Sequence, residues 1–407
     1  MAKRFLNDLG QNSKREIAVI TDAFPPMRTS AAIQIRDLAL ELCTFDVRPI
    51  VLVPSPEQNV PWIVEEFNEV TVLRLKAFKT KDINYVMRTI NELLMPFCML
   101  HNLKKSPFKD TKWSGIVWYS PSIFWGPLVK SLKKHAACKS YLILRDIFPE
   151  WAVDMGLMRR SLPYHFFKKI ELFQYRVADV IGVQSPGNLN YFKKKIQTLA
   201  KIEVLQNWLA NGPNIASTIK IADTNLSGRK IFVYAGNMGL AQGMDILLAL
   251  ATRLAYRKDI GFVFVGRGSE ALRLKQVSIS NGLDNTLFFD EIDPYEIPDL
   301  YKQCHVGMIA LDKRHQTHNI PGKFLTYLQS GLPVLACVNS GNDIEKLIVE
   351  HDVGKVCISH QVEELMQLAI SLVEENTLDR EIKCKRLFQS LFSSSSCAKQ
   401  ILENLLH

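Results

Sequence analysis

Three glycines, Gly236, Gly239 and Gly243, fall within eight residues of the stretch VYAGNMGLAQGMD, between the apolar run KIFVYA and the helical pattern ILLALATRLAY. A strand-to-helix turn this bare lets backbone amides and a helix N-terminus face an anion with no side chain in the way. Asn237 and Gln242 are its polar neighbours. The spacing is neither G-x-G-x-x-G nor G-x-x-x-x-G-K-[ST], so the turn alone fits a phosphate site and a ligand-free connection equally. A second stretch, HNIPGKFLTYLQSGLPVLA, puts Lys323 behind Pro321-Gly322 at a helix start, where a cation and the helix dipole can share one anion. The helix stops at Ser330-Gly331. A third, Gly266-Arg267-Gly268-Ser269-Glu270-Ala271, follows a strand and has the outline of a dinucleotide fingerprint, G-x-G-x-x-A, with Asp290 ending a later strand. It lies in the second βα unit of its series, and Arg267 stands where a pyrophosphate needs bare backbone. Arg267 is therefore read as a phosphate partner, and nicotinamide chemistry is set aside.

These loops need a scaffold, and the chain supplies two. EIAVITD, VRPIVLVPS, VTVLRLKAF, GIVWYSPS, SYLILRD, VADVIGVQS and KIEVLQNW read as strands alternating with helices. After the polar segment 211–229 a second series begins: RKIFVYAG, GFVFVGRG, NTLFFDE, VGMIALD, LPVLACV and GKVCIS. Continuous apolar strands between helices indicate parallel sheets covered on both faces. The expected fold class is α/β with two Rossmann-like domains, 1–205 and 206–387, the first completed by a C-terminal helix at 388–407. Ligands of such sheets bind beyond the carboxyl ends of the strands, so the natural site is the cleft between the domains.

Composition narrows the partners. Of 407 residues 47% are hydrophobic and 22% charged, as in an ordinary globular protein. Eight scattered cysteines without a C-x-x-C pair read as reduced thiols, not as a disulfide framework or zinc site. Neither a signal peptide nor a spanning helix is expected. The net charge of +9 divides unevenly: residues 1–200 carry 29 basic and 18 acidic side chains, a balance of +11, and the remainder carry 21 and 23. The basic half suggests an anionic partner. No stacking aromatics interleave its lysines, which argues against nucleic acid.

Taken in order, the segments resemble the retaining glycosyltransferases of family 4, with the GT-B fold, over nearly the whole chain. ITDAFPPMRTSAAIQIRDLALEL resembles the first strand, loop and helix. LILRDIFPEWAVDMGLM resembles the RDxxPE segment of a bacterial subset, and VADVIGVQSPGN the ADxxxxxSPG segment. EVLQNW resembles the domain junction, YAGNMGLAQGMDILLALA the donor loop, and IPGKFLTYLQSGLPVLA the PSKxxxYxxxGxPV segment. The subset resembles transferases of amino-deoxy sugars, N-acetylfucosamine among them, in O-antigen or capsule assembly. The sequence departs from the wider family at four places, one of them Arg145, which stands where many members have a His facing the sugar. Asn237 and Gln242 replace the loop's Arg and Lys, His318 and Thr326 replace two glutamates that meet sugar and ribose, and Thr29-Ser30-Ala31-Ala32 replaces glycines.

The resemblance implies metal-independent transfer of a sugar from a nucleoside diphosphate, UDP, to a saccharide on a polyprenyl diphosphate, without a cofactor. The leaving phosphate oxygen would take the acceptor's proton, so no side-chain base is required. Gly236, Asn237, Gly239, Gln242, Arg267, His318 and Thr326 would hold the donor. Lys323 would stabilise the leaving phosphate, and Arg145, Asp146 and Glu150 would orient sugar or acceptor from the first domain. Within the same fold, a UDP-sugar 2-epimerase is the alternative; a non-catalytic nucleotide-sugar-binding protein is another. A lipid-linked acceptor places the enzyme in the cytoplasm at the inner face of the membrane. VMRTINELLMPFCMLHNLKK (86–105) suits an interfacial helix, with Arg88, Lys104, Lys105, Lys109, Lys112, Lys130, Lys133 and Lys134 as the basic residues that would attract anionic lipid.

Overall fold

A computed structural model describes residues 14–27, 29–80, 83–154, 156–196, 198–213, 215–313, 320–375 and 377–406. The chain divides into two compact units, one of residues 1–206 with 394–407, the other of 207–393. Both are α/β, as the alternation of apolar strands and helices requires.

The first unit holds β1 (Arg15–Ile20), β2 (Val47–Ser55), β3 (Trp62–Phe67), β4 (Val70–Lys76), β5 (Gly115–Tyr119), β6 (Lys139–Leu144), β7 (Val180–Val183) and β8 (Lys201–Val204), in the order β3-β4-β2-β1-β5-β6-β7-β8. Every pairing is parallel except β3 with β4. The helix Ser394–Leu406 belongs to this unit. Its Gln400 and Asn404 donate to Glu203 at 2.7 and 3.1 Å, and Leu405 fills the space beside Gly115. The return to the first unit begins at Ser394 and not at 388, because Phe388 and Phe392 are buried in the second core.

The second unit holds β9 (Lys230–Ala235), β10 (Ile260–Val265), β11 (Thr286–Phe289), β12 (Val306–Ala310), β13 (Val334–Cys337) and β14 (Gly354–Cys357), in the order β11-β10-β9-β12-β13-β14, all parallel. β10 is buried at all six residues, which is why it reads as IGFVFV with no alternation. Each of its five apolar side chains contributes roughly 1.5–3 kcal/mol of burial. The direction of winding reverses between β9 and β12, the place where open parallel sheets bind ligands. The helix Gly322–Gln329 is pinned there. Its Tyr327 hydroxyl reaches the carbonyls of Val233 at 3.1 Å and Met308 at 3.0 Å, and only a glycine at 307 leaves room for the ring.

Candidate active site

β9 delivers the chain to Gly236 with φ +139°, a conformation that favours glycine. The adjoining β10 ends likewise at Gly266 (φ +139°) and Gly268 (φ +148°). The two loops lie backbone to backbone. Met238 N–H donates to the Arg267 carbonyl at 2.7 Å, and Glu270 N–H to the Met238 carbonyl at 2.9 Å. A Cβ on Gly266 would come within 2.0 Å of the Gly236 carbonyl oxygen, and one on Gly268 within 2.3 Å of that of Met238. This packing accounts for the G-x-G spacing without a dinucleotide. Arg267 points outward, largely exposed, and pairs with Glu291 at 3.0 Å.

The amides expected to face a phosphate are engaged within the fold. Gly236 N–H donates to the Val265 carbonyl at 2.9 Å. Gly239 N–H donates to Gln242 Oε1 at 2.9 Å, and Asn237 Nδ2 donates to the same oxygen at 3.1 Å. Gln242 thus caps its own turn, and Asn237 braces that cap. Gly243 (φ +56°) lies against Asp312, where a Cβ would come within 3.0 Å of backbone atoms. In this arrangement the glycines give the loop its shape and its closeness to Lys323.

Lys323 is the cation of the site. Tyr234, one residue before β9 ends, accepts a hydrogen bond from Lys323 Nζ at 2.7 Å and donates its own proton to the Asn237 carbonyl at 2.6 Å. The ammonium also lies 3.9 Å from the Tyr234 ring centroid. A Cβ on Gly236 would sit 3.5 Å from Lys323 Cε, so the side chain crosses directly beneath the loop. Desolvation of this half-buried side chain, which has no acidic partner among the described residues, lowers the Lys323 pKa to about 7. An anion arriving here would restore its charge. Thr326, expected near a ribose, donates to the Lys323 carbonyl at 2.9 Å, so its hydroxyl serves the helix backbone. His318 lies outside the described residues.

In the first unit Arg145 is buried at the end of β6. It donates to the carbonyls of Leu205 at 2.8 Å and Gln206 at 3.3 Å, which ties β6 to the segment leaving β8. Buried in this way, its guanidinium braces the backbone, a role the sequence reading does not assign it. Glu150 accepts from the Tyr164 hydroxyl at 2.8 Å and pairs with Lys168 at 2.9 Å, so it too is held inside the unit. Asp146 is exposed beyond β6. The protein around it pushes its carboxyl above the usual value, with Arg145 opposing. Sequence reasoning missed Tyr234; its place in VYAGN was the available signal.

A depression of about 470 Å³ lined by Tyr301, Lys302, His305 and Gln329 opens where β12 and β13 begin, at the sheet edge opposite the glycine loops. Among the described residues no group of three His, Cys, Asp or Glu is placed to hold a metal ion, and no helix is long and apolar enough to cross a membrane.

Residues 229–375 match the family model described as Glycosyl transferases group 1, so the glycine loops, Tyr234 and Lys323 all lie in a segment with that group's sequence pattern. The chain is 23% identical over 247 residues to the probable glycosyltransferase WbjE of Pseudomonas aeruginosa, covering 57% of this chain and 61% of WbjE. It is 23% identical over 283 residues to the putative colanic acid biosynthesis glycosyl transferase WcaI of Escherichia coli, covering 65% of this chain and 68% of WcaI. The alignment thus spans about three fifths of the first relative and two thirds of the second. Among solved structures, WaaG, a glycosyltransferase involved in lipopolysaccharide biosynthesis, superposes with a TM-score of 0.59 at 12% identity, over 95% of this chain and 99% of WaaG. Anabaena HepE in complex with UDP and glucose gives 0.62 at 12% identity, over 96% and 99%. The fold is that of the GT-B glycosyltransferases, and the sequence matches support a glycosyltransferase.

Proposed function

We propose that this chain is a retaining glycosyltransferase that moves a sugar, of the N-acetylated amino-deoxy kind, from a UDP donor to a lipid-linked saccharide in bacterial surface polysaccharide synthesis. Lys323 beneath the Gly236 loop carries the reading. Departure of a nucleoside diphosphate from the anomeric carbon builds negative charge on its phosphate. A cation already positioned at the strand ends, with its charge completed by the ligand, lowers that barrier. In the retaining route the leaving phosphate oxygen takes the acceptor's proton, so no carboxylate base is needed. The engagement of Glu150 by Tyr164 and Lys168 agrees with this. Asp146 is the carboxylate proposed to orient sugar or acceptor. WcaI, described as a colanic acid biosynthesis glycosyl transferase, and WaaG, described as acting in lipopolysaccharide biosynthesis, support a place in polysaccharide assembly, and WbjE supports glycosyl transfer.

A polyprenyl-linked acceptor would be met at the inner membrane face, and the helix Tyr85–Leu103 supports docking there. Met95, Met99 and Leu103 are buried, while Tyr85, Val86, Met87, Ile90, Leu94 and Phe97 are exposed. Of the basic residues read in the sequence, Arg88 lies on this exposed stretch, paired with Glu92 at 2.8 Å. Lys104, Lys105, Lys109 and Lys112 follow the far end of this helix, roughly 28 Å from its start. Lys133 is held by Asp179 at 2.6 Å and the Val177 carbonyl at 2.8 Å. Lys79 and Arg159, exposed in segments that follow β4 and β6, are the better candidates, with Arg160, which is exposed but also lies 3.8 Å from Glu150.

A thermal-shift panel of nucleoside diphosphates and their sugars tests the donor, since a ligand at 100 times its Kd stabilises by about 2.7 kcal/mol. UDP and a UDP-linked amino sugar should raise the midpoint. No stabilisation by any nucleotide sinks the proposal. Interconversion of free UDP-sugar without acceptor would favour the epimerase.

A further inference from the structure

Four hydrogen bonds run along the strand-end edge of the second unit, from β14 to the glycine loop. Cys337 Sγ lies 3.4 Å from His360 Nδ1, and His360 Nε2 lies 2.9 Å from Asn339 Oδ1. Asn339 Nδ2 lies 3.0 Å from the Asp312 carbonyl oxygen, and Asp312 N lies 3.0 Å from the Ala241 carbonyl oxygen. One end fixes the direction of the whole chain. The Asp312 carbonyl can only accept, so the Asn339 amide nitrogen faces it and Asn339 Oδ1 faces the imidazole. Nε2 must then carry the proton, and a neutral Nδ1 accepts from the Cys337 thiol.

The chemistry at each member agrees. Burial pushes the Cys337 thiol up to about 12, so it stays an S–H donor and is no nucleophile despite its Cys-His-Asn company. Burial, with Lys313 nearby, lowers the His360 pKa and favours the neutral ring. His360 also has φ +55°, a left-handed conformation uncommon outside glycine. Such backbone persists where its surroundings hold it in place. At the other end, Asp312 supports the glycine loop twice, through the Ala241 carbonyl and through its contact with Gly243.

We propose that His360 is a positioning residue for the glycine loop 239–243: through Asn339 it sets the height of Asp312, against which the loop rests. For its effect on a ligand this inference rests on the UDP-binding reading; for its effect on the loop it stands alone.

The test is amide hydrogen exchange on the ligand-free full chain, followed by UDP titration. In H360L and in N339L the amides of Gln242, Gly243 and Asp312 should exchange about fivefold faster, while those of β10 keep their protection. The double variant should be no faster than either single one, since both break one chain. H360Q, which can still donate to Asn339, should restore most of the protection, and it separates loss of the bond from a folding defect. UDP affinity should fall by a similar factor in the two leucine variants. Unchanged exchange at 242, 243 and 312, additive single effects, or no rescue by H360Q overturns the proposal. If wild type does not bind UDP while the exchange pattern holds, the donor reading fails and the positioning role survives.

Discussion

The Nζ of Lys323 lies 2.7 Å from the Tyr234 hydroxyl, across 89 residues of sequence. The tyrosine passes the constraint on, since its own proton goes to the Asn237 carbonyl inside the glycine loop. Cation and loop are therefore one mechanical unit. Lys323→Ala should weaken UDP binding by roughly 1.5–3 kcal/mol, the range for a charge-assisted hydrogen bond. Tyr234→Phe, which leaves the charge but frees it, should cost about 1 kcal/mol. Isothermal titration calorimetry measures both, and unchanged affinity in the alanine variant retires Lys323.

The same lysine predicts a pH signature. Its folded pKa of about 7 lies below the ordinary 10.5. Between those values the unfolded chain binds more protons than the folded one, so stability rises with pH across this window. Below about 7 the lysine is charged in both states, and its desolvation cost is fully present. Wild type should therefore gain stability relative to Lys323→Met from pH 7 to 10, measured by urea melts. UDP binding at pH 8 should draw in a proton, seen as a dependence of binding enthalpy on the buffer's ionisation enthalpy. A pH-independent difference between the two proteins contradicts this.

Gly266 and Gly268 offer a test of the loop packing. Alanine at either meets carbonyl oxygen at 2.0 or 2.3 Å and a backbone conformation that disfavours any side chain. Each substitution should cost about 3 kcal/mol or more. Gly282→Ala is the control: its φ is +63°, nothing lies within 4 Å, and it should cost about 1–2 kcal/mol. Equal losses at all three sites would mean that the two loops do not rest on each other.

The second unit should fold as residues 207–393, and a fragment ending at 385 should not. Phe388 and Phe392 are buried in its core, Phe392 packs edge-on against Phe324 with centroids 6.0 Å apart, and its carbonyl accepts from Leu209 N–H at 3.0 Å. Losing a buried Phe side chain costs roughly 3–5 kcal/mol, so losing both exceeds the margin of a small domain. Cooperative thermal unfolding of the shorter fragment would remove this boundary.

What was legible in the sequence follows from how each part is held. Strands buried on both faces, such as IGFVFV, announce themselves as unbroken apolar runs. β3 does not: it is an antiparallel edge strand, WIVEEF, with Glu65 and Glu66 exposed, and its sequence lacks an unbroken apolar run. The glycine turns were visible because few other residues fit them. The state of Arg145 was not, because the carbonyls that take its guanidinium lie 60 and 61 residues further along the chain. The sequence offers Gln242 as a ligand contact, while its cap onto Gly239 depends on a turn conformation that spacing alone does not reveal.

The last prediction concerns the first unit and the membrane. Tyr85, Val86, Met87, Ile90, Leu94 and Phe97 leave one helix with an apolar outer surface that solvation alone does not favour. Leu157, Leu162 and Phe166, also exposed, lie beside Arg159 and Arg160 in the segment after β6. Apolar residues interleaved with cations suit an anionic lipid surface, each cation adding about 1 kcal/mol at low salt. The full chain should therefore sediment with vesicles containing anionic lipid and not with neutral ones, and high salt should release it. Met87→Glu with Ile90→Glu should abolish binding with little loss of stability, since both side chains are already exposed. Replacing Arg159 and Arg160 by Ser should weaken it roughly 30-fold, whereas replacing Lys104 and Lys105 should change it little. The opposite ranking would return the role to the lysines at the far end of the helix. No binding to anionic vesicles at low salt would mean that the acceptor is reached without the membrane.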